Sequence, residues 1–323
     1  MDYSLVRFIG RHRDGYFSFS GSGFELSVQS LDKKSELTIV LDSHINEHDE
    51  QFINVYIDDV FYSKERLIEG INEIKLSIES SNKKICIIKV NEVYLSSLIL
   101  KDIICGGIRV KSPQKSNKKC ICFFGDSLTC GYGLDDFHGT GFTVKSEDFS
   151  KSFAYLTASQ LDMDYYVVAR SGISLALPIY QTKLFKDIYD TVDTLNKYDK
   201  VDKYDYAVIN LGTNDSNALD LIPSAEKAFH LEMFKKEYIS LVNKIISDNP
   251  NIKLLICYQK EHMNDEIVNK IFDIYNLVKN KYSNPIELVE FTPNTDGANF
   301  HPYYLTHIEN SKKLIKAITK INK

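Results

Sequence analysis

Up to about Val110 the apolar positions fall in short, mostly alternating runs: Tyr16-Phe17-Ser18-Phe19, Phe24-Glu25-Leu26-Ser27-Val28, Leu37-Thr38-Ile39-Val40-Leu41, Val55-Tyr56-Ile57, Ile74-Lys75-Leu76-Ser77-Ile78 and Ile85-Cys86-Ile87-Ile88. A period of two buries one face of an extended chain. The gaps hold turn formers, Asp14-Gly15 and Ser20-Gly21-Ser22-Gly23 among them. No strong helix-period segment lies between these runs, and the pattern predicts an all-β sandwich of jelly-roll type over residues 1–112.

Residues 111–119 are polar, contain Pro113 and lack large apolar side chains, which marks a boundary. Beyond it the pattern changes. Short apolar strands at 120–124, 165–169, 206–211, 253–258 and 286–290 alternate with helical patterns at 152–161, around 184–195, and at 224–247, 266–280 and 305–321. In the third of these helices Ala228, Leu231, Phe234, Tyr238, Leu241, Val242 and Ile245 line one face. Alternation of this kind predicts a parallel sheet covered by helices, a three-layer α/β/α domain over 118–323.

Length and composition agree with two ordinary globular domains: 323 residues, 43% hydrophobic and 26% charged. The net charge of −5 argues against a nucleic-acid binder, whose footprint is a basic face or stripe, and the one basic run, within 111–119, reads as a solvated linker. No segment approaches the roughly 18 uninterrupted apolar residues of a membrane span. The N-terminus lacks the basic region and the apolar stretch of about 7–15 residues of a secretory signal. The expectation is a soluble, cytoplasmic protein with neither nucleic-acid nor membrane partners; oligomeric state leaves no mark. The six cysteines are irregularly spaced, five of them in or beside apolar runs, and read as reduced, buried thiols.

Candidate chemistry gathers at the carboxyl ends of the predicted strands, where open α/β sheets place their ligand sites. The first strand runs into Gly125-Asp126-Ser127-Leu128-Thr129, followed by Gly131 and Gly133. A serine in such a turn can be held exposed among backbone N–H groups, which makes Ser127 a candidate nucleophile. The second strand ends at Arg170-Ser171-Gly172, where a glycine admits close approach to a backbone N–H. The third ends at Gly212-Thr213-Asn214-Asp215, and the Asn214 amide is a neutral donor suited to a developing oxyanion. Phe300-His301-Pro302 follows the last strand and precedes the terminal helix, where His301 could meet the first loop.

Ser127, Gly172, Asn214 and His301, in that order, resemble the four signature positions of the SGNH (GDSL-type) hydrolases. The wording Gly125-Asp126-Ser127-Leu128-Thr129-Cys130-Gly131-Tyr132-Gly133, the turn Ala169-Arg170-Ser171-Gly172-Ile173, and Gly297 with His301-Pro302 and His307 are most similar to the family 2 carbohydrate esterases. Gly10-Arg11 and the run from Tyr16 to Glu25 resemble the start of the β-sandwich those enzymes carry. The resemblance implies a cofactor-free carbohydrate O-acetyl esterase acting through an acyl-enzyme. Ser127 would be the nucleophile and His301 the base, with an oxyanion hole of the Ser127 and Gly172 N–H groups and the Asn214 amide. The substrate would be an acetylated carbohydrate or another small acyl ester. Two alternatives stay open: an O-acetyltransferase on the same machinery, and a catalytically idle carbohydrate-binding protein.

The chain departs from the family pattern at the third triad member. Most SGNH hydrolases place an Asp three residues before the His, and Ala298 stands there; Asp296, five before, could serve only if the chain folds back. The family also includes dyad enzymes whose His is held by a backbone carbonyl, which is the preferred reading for His301. Asp126 reads as a turn residue and Cys130 as a small buried one. His307 reads as packing or surface. Asp215 reads first as a turn residue like Asp126 and, with Tyr132 and Phe300, is a candidate for substrate contact. His44-Ile45-Asn46-Glu47-His48 fits an inverted zinc-protease motif, but in a short polar stretch between predicted strands it reads as a solvated loop, with no metal expected. The chain has 20 Tyr, 18 Phe and no Trp, so any aromatic platform for a sugar must be Tyr or Phe.

Overall fold

The computed structural model describes residues 1–32, 35–46, 50–79, 82–137 and 141–322. They cluster into two compact units, Met1–Asn117 with Val192–Tyr198, and Lys118–Thr191 with Asp199–Lys323. Nothing in the sequence marked the short segment of the first unit. It is held there by the Tyr16 hydroxyl, which donates to Asp193 at 2.7 Å, and by Arg11, whose guanidinium lies 5.0 Å from the centre of the Tyr198 ring.

The first unit is all antiparallel β: β1 (Arg7–Ile9), β2 (Tyr16–Phe17), β3 (Gly23–Ser30), β4 (Ser35–Ile45), β5 (Gln51–Ile57), β6 (Val60–Leu67), β7 (Gly70–Ile78), β8 (Asn82–Lys89), β9 (Ser96–Gly106) and β10 (Ile108–Lys111). One sheet has the order β1-β3-β8-β5-β6, with β10 beside β1 on the same edge of β3; the other has the order β2-β9-β4-β7. Alternation does the sorting: Leu37, Ile39 and Leu41 of β4, and Phe24, Leu26 and Val28 of β3, enter one fully buried core between the sheets. The edge strand β6 escaped the pattern search because Val60, Phe61 and Tyr62 are all exposed. His44 and Ile45, expected in a loop, instead end strand β4. Glu47 and His48 of that motif lie outside the described residues.

The second unit carries β11 (Cys120–Gly125), α1 (Ser127–Cys130), α2 (Phe153–Gln160), β12 (Asp164–Ala169), α3 (Phe185–Ile188), β13 (Tyr206–Asn210), α4 (Thr213–Leu221), α5 (Ser224–Asp248), β14 (Lys253–Tyr258), α6 (Asp265–Lys281), β15 (Ile286–Glu290) and α7 (Tyr304–Ile321). Its five strands are parallel in the order β12-β11-β13-β14-β15. Successive side chains face opposite ways, so every second residue of β11, β13 and β14 (Phe123, Val208, Leu255) packs with Phe153 and Ala154 of α2 and Leu314 and Ile318 of α7. Full burial of an aromatic such as Phe153 stabilises by roughly 1.5–3 kcal/mol.

Two helix expectations change. The pattern around 184–195 yields only the four-residue α3, because Asp193 accepts from the N–H groups of Leu195 and Asn196 at 2.6 Å and turns the chain. The stretch after Gly212, for which the pattern predicted no helix, is helix α4. Four cysteines are buried as expected, but Cys120 is half-buried and Cys105 exposed; all six thiols are free.

β11 lies between β12 and β13, so the chain reverses its direction of travel across the sheet there. The crevice outside the carboxyl ends of these strands is the place where such a sheet leaves room for a ligand.

Candidate active site

Ser127 sits at that crevice as the first residue of α1. Asp126 caps the helix, its Oδ1 accepting the Leu128 N–H at 3.1 Å, and Gly131 ends it in the left-handed region at φ +81°. The turn is too tight for a side chain at Gly125, where a Cβ would lie 2.0 Å from Thr129 Oγ1. Ser127 is thereby fixed by a strand, a cap and one helical turn. Its N–H donates to no acceptor among the described residues.

Gly172, after β12, has φ +72°, and a Cβ there would lie 2.8 Å from Tyr180 Cβ. Both the conformation and the space require glycine. Its N–H, too, has no acceptor among the described residues. Asn214 lies in the first turn of α4; its Nδ2 donates to the Ile173 carbonyl at 2.9 Å. That bond uses one of the two amide hydrogens and fixes the group next to the Gly172 turn.

His301 reaches Ser127 through its loop. The Ala298 N–H donates to Gly133 O at 3.2 Å and the Tyr304 N–H to Leu134 O at 3.1 Å, which docks the loop on the turn that follows α1. His301 Nε2 lies 2.8 Å from Ser127 Oγ. Nδ1 lies 3.2 Å from the Ala298 carbonyl and 3.1 Å from the Asn299 carbonyl. Two acceptors at Nδ1 place the hydrogen there, leaving Nε2 as the acceptor for the serine proton. Burial lowers the pKa of His301 to about 4, against the opposing pull of the two carbonyls. The ring is therefore neutral near neutral pH.

The backbone supports this at a cost. Asn299 and Phe300 occupy the left-handed region in succession, at φ +47° and +63°, each costing on the order of 1–3 kcal/mol for a residue with a side chain. The kink turns two successive carbonyls onto one ring nitrogen.

Asp296 is not brought to His301: it is exposed, and its Oδ2 accepts from Asn294 Nδ2 at 2.8 Å. Nor is Asp215 free for substrate. It is 2% exposed, and its carboxylate accepts the N–H groups of Leu175, Ala176 and Leu177 at 2.8, 2.8 and 3.2 Å, a clamp on the loop after Gly172. Burial raises its pKa to about 6 despite those bonds. Tyr132 is at the site, but its ring is stacked on Phe142 at 4.1 Å and lies 4.3 Å from the His301 ring, and its hydroxyl accepts from Asn299 Nδ2 at 3.0 Å. Phe300 is 77% exposed beside them.

His307 is buried, stacks on Phe153, and accepts the Phe153 N–H on Nδ1 at 3.1 Å. Cys130 is fully buried. Sequence reading missed Tyr180, which is 63% exposed against Gly172. The tight approach at Gly172 was the one available signal for it. No cluster of three or more His, Cys, Asp or Glu able to hold a metal ion exists among the described residues.

The chain matches the GDSL-like lipase/acylhydrolase family over residues 123–299, more than half its length; the match takes in Ser127, Gly172 and Asn214 and ends just short of His301. It is 27% identical over 230 residues to a cellulase/esterase of Acetivibrio thermocellus, covering 66% of this chain and 27% of that protein. It is 26% identical over 223 residues to an acetylxylan esterase/glucomannan deacetylase of Cellvibrio japonicus, covering 60% of each. The chain thus spans less than two thirds of the length of either relative. Among solved structures, a family two carbohydrate esterase from Clostridium thermocellum superposes with a TM-score of 0.85 at 22% identity over 98% of both chains. An acetyl xylan esterase from Butyrivibrio proteoclasticus does so at 0.82 and 17%, over 99% of this chain and 96% of that one. At such identities these likenesses establish the fold alone: a β-sandwich and an α/β hydrolase domain in one chain.

Proposed function

The chain belongs to the GDSL-like lipase/acylhydrolase family, and on that premise we propose that it is a carbohydrate O-acetyl esterase working through a Ser127–His301 dyad. The observation that carries the proposal is the 2.8 Å contact between His301 Nε2 and Ser127 Oγ in a ring whose other nitrogen faces two carbonyls. Neutral His301 takes the hydroxyl proton as Ser127 Oγ attacks the acetyl carbon. The resulting oxyanion is held by the N–H groups of Ser127 and Gly172 and by the second Asn214 amide hydrogen. His301 then passes the proton to the departing sugar oxygen, leaving acetyl-Ser127. Water, deprotonated by the same nitrogen, attacks the acyl carbon and releases acetate and free serine. While charged, the imidazolium is stabilised by the Ala298 and Asn299 carbonyls in place of a carboxylate.

Carbohydrate is the favoured alcohol because both curated relatives carry carbohydrate-active names, and because Phe300, next to His301 in the chain, and Tyr180, against Gly172, offer exposed aromatic surface. The test is hydrolysis of p-nitrophenyl acetate and of acetylated xylan and mannan oligosaccharides by wild type and Ser127→Ala. Wild-type release of acetate, abolished in the variant, is expected. A wild type no faster than Ser127→Ala would overturn the proposal.

A further inference from the structure

Where backbone carbonyls stand behind a histidine, something must hold the backbone, and Tyr132 lies where it can do so. It follows α1, and its N–H donates to the Ser127 carbonyl at 3.1 Å, so its main chain belongs to the turn that carries Ser127. Its half-buried ring stacks on Phe142 with 4.1 Å between ring centres and lies 4.3 Å from the His301 ring.

The Tyr132 hydroxyl reaches the His301 loop, where it accepts from Asn299 Nδ2 at 3.0 Å. Asn299 is also a residue whose carbonyl lies 3.1 Å from His301 Nδ1. Its side chain and its carbonyl are joined through one Cα held at φ +47°, a conformation that asparagine tolerates better than most residues but that still depends on its surroundings. Anchoring the amide restrains that Cα, and with it the direction of the carbonyl. The adjacent pair is tied as well, since Gly133 O accepts the Ala298 N–H at 3.2 Å. Tyr132 and Gly133 thus hold Asn299 and Ala298, the two residues whose carbonyls face the ring. One tie is made by a side chain and the other by main chain, so only the first can be removed by substitution.

We propose that Tyr132 is a positioning residue: its hydroxyl, accepting from Asn299 Nδ2, holds Asn299 in the left-handed conformation that turns its carbonyl onto His301 Nδ1. The inference rests on the Ser127–His301 reading, and it gives Tyr132 a role behind the base in place of the sugar contact expected from sequence. One neutral hydrogen bond is equivalent to about a two- to tenfold change in an equilibrium, which sets the scale. A base whose orienting partner is weakened loses turnover, not substrate affinity.

The test uses the full chain with Tyr132→Phe, Asn299→Ala, Asn299→Gly, the double variant Tyr132→Phe/Asn299→Gly, and Ser127→Ala, assayed on p-nitrophenyl acetate and on acetylated xylan oligosaccharides, with melting curves to verify folding. Tyr132→Phe keeps the ring and removes the hydroxyl; it is expected to lower kcat on both substrates by more than about twofold and up to about tenfold, with KM changed by less than about twofold. Asn299→Ala loses the amide while keeping the cost of the left-handed φ, and should fall at least as far. Glycine adopts that φ freely. With Asn299→Gly in place the hydroxyl has nothing to hold, and adding Tyr132→Phe should change kcat by less than about 1.5-fold. The positioning role is wrong if Tyr132→Phe or Asn299→Ala leaves kcat within about twofold of wild type, or if Tyr132→Phe costs as much beside Asn299→Gly as in the native chain. It is equally wrong if Tyr132→Phe raises only KM for the oligosaccharides, which would make the tyrosine a sugar contact. A wild type no faster than Ser127→Ala would instead remove the underlying esterase reading.

Discussion

Replacing Asp296 by alanine should leave the esterase nearly unimpaired. In a Ser-His-Asp triad, losing the carboxylate behind the histidine costs about 10⁴ in turnover, because tautomer and orientation go with it. Here Nδ1 faces the Ala298 and Asn299 carbonyls at 3.2 and 3.1 Å, and neither acceptor is removed by changing residue 296. What the substitution does remove is the side-chain bond from Asn294 Nδ2, at an exposed position. A neutral hydrogen bond contributes about 0.5–1.5 kcal/mol even when well sheltered. The Asp296 N–H bond to Asn294 Oδ1 survives, since it belongs to the backbone. The expected loss in kcat is therefore about threefold at most, equivalent to roughly 0.7 kcal/mol. The assay is p-nitrophenyl acetate hydrolysis at saturating substrate for wild type, Asp296→Ala and Asp296→Asn, with melting curves to exclude unfolding. A loss beyond about a hundredfold at unchanged melting temperature would mean that Asp296 turns onto His301 during catalysis, and the two-carbonyl reasoning would fail.

Asn214→Ala should lower kcat by about 10²–10³ through loss of one oxyanion donor, measurable on the same ester; a change of only a few-fold would place the amide outside the hole. Gly172→Ala combines φ +72° with a Cβ placed 2.8 Å from Tyr180 Cβ, and should lose activity by a similar factor, while a Tyr180→Gly background, which removes that Cβ, relieves the clash but not the conformation. The acid limb of kcat/KM should fall near pH 4, not 6.5, because burial depresses the base His301 and activity disappears only as pH drops through its folded value; a pH–rate profile reads this directly. His307, buried and lowered to about 3, binds fewer protons folded than unfolded between pH 6.5 and 3. Its contribution to stability is thus present above 6.5 and lost on acidification through that window, so the gap in unfolding free energy between wild type and His307→Phe should shrink as pH falls, as denaturant titrations at several pH values would show.

The parts of the site that were legible in the sequence are those where a side chain follows a strand directly. β14 and β15 begin and end where the apolar runs do, and Ser127 and Asn214 are placed by Gly125-Asp126 and Gly212-Thr213 immediately before them. That a backbone carbonyl stands behind His301 was expected from the resemblance, but which carbonyls do so was not legible: every residue has one, and the left-handed φ of Asn299 and Phe300 accompanies the turn of the Ala298 and Asn299 carbonyls onto His301. The structural role expected of Asp215 was read as local to its own turn, because its three actual partners are backbone N–H groups far away in sequence.

The absence of a triad carboxylate at position 298 follows from the way the His301 loop is docked on the turn that carries Ser127. Ala298 is fully buried, and a Cβ on Gly133 would lie 2.4 Å from its methyl group. That same approach lets the Ala298 N–H reach the Gly133 carbonyl and brings Nε2 to Ser127. An aspartate at 298 would need both space and a partner for a buried charge, and an unpaired ionised carboxylate in such a place shifts to its neutral form instead of orienting an imidazole. With the side chain reduced to a methyl group, orientation passes to the backbone, and the strained Asn299-Phe300 kink is what that transfer requires. The proposed dyad is thus built without a buried anion behind the histidine, in keeping with a ring that stays neutral until the pH approaches 4.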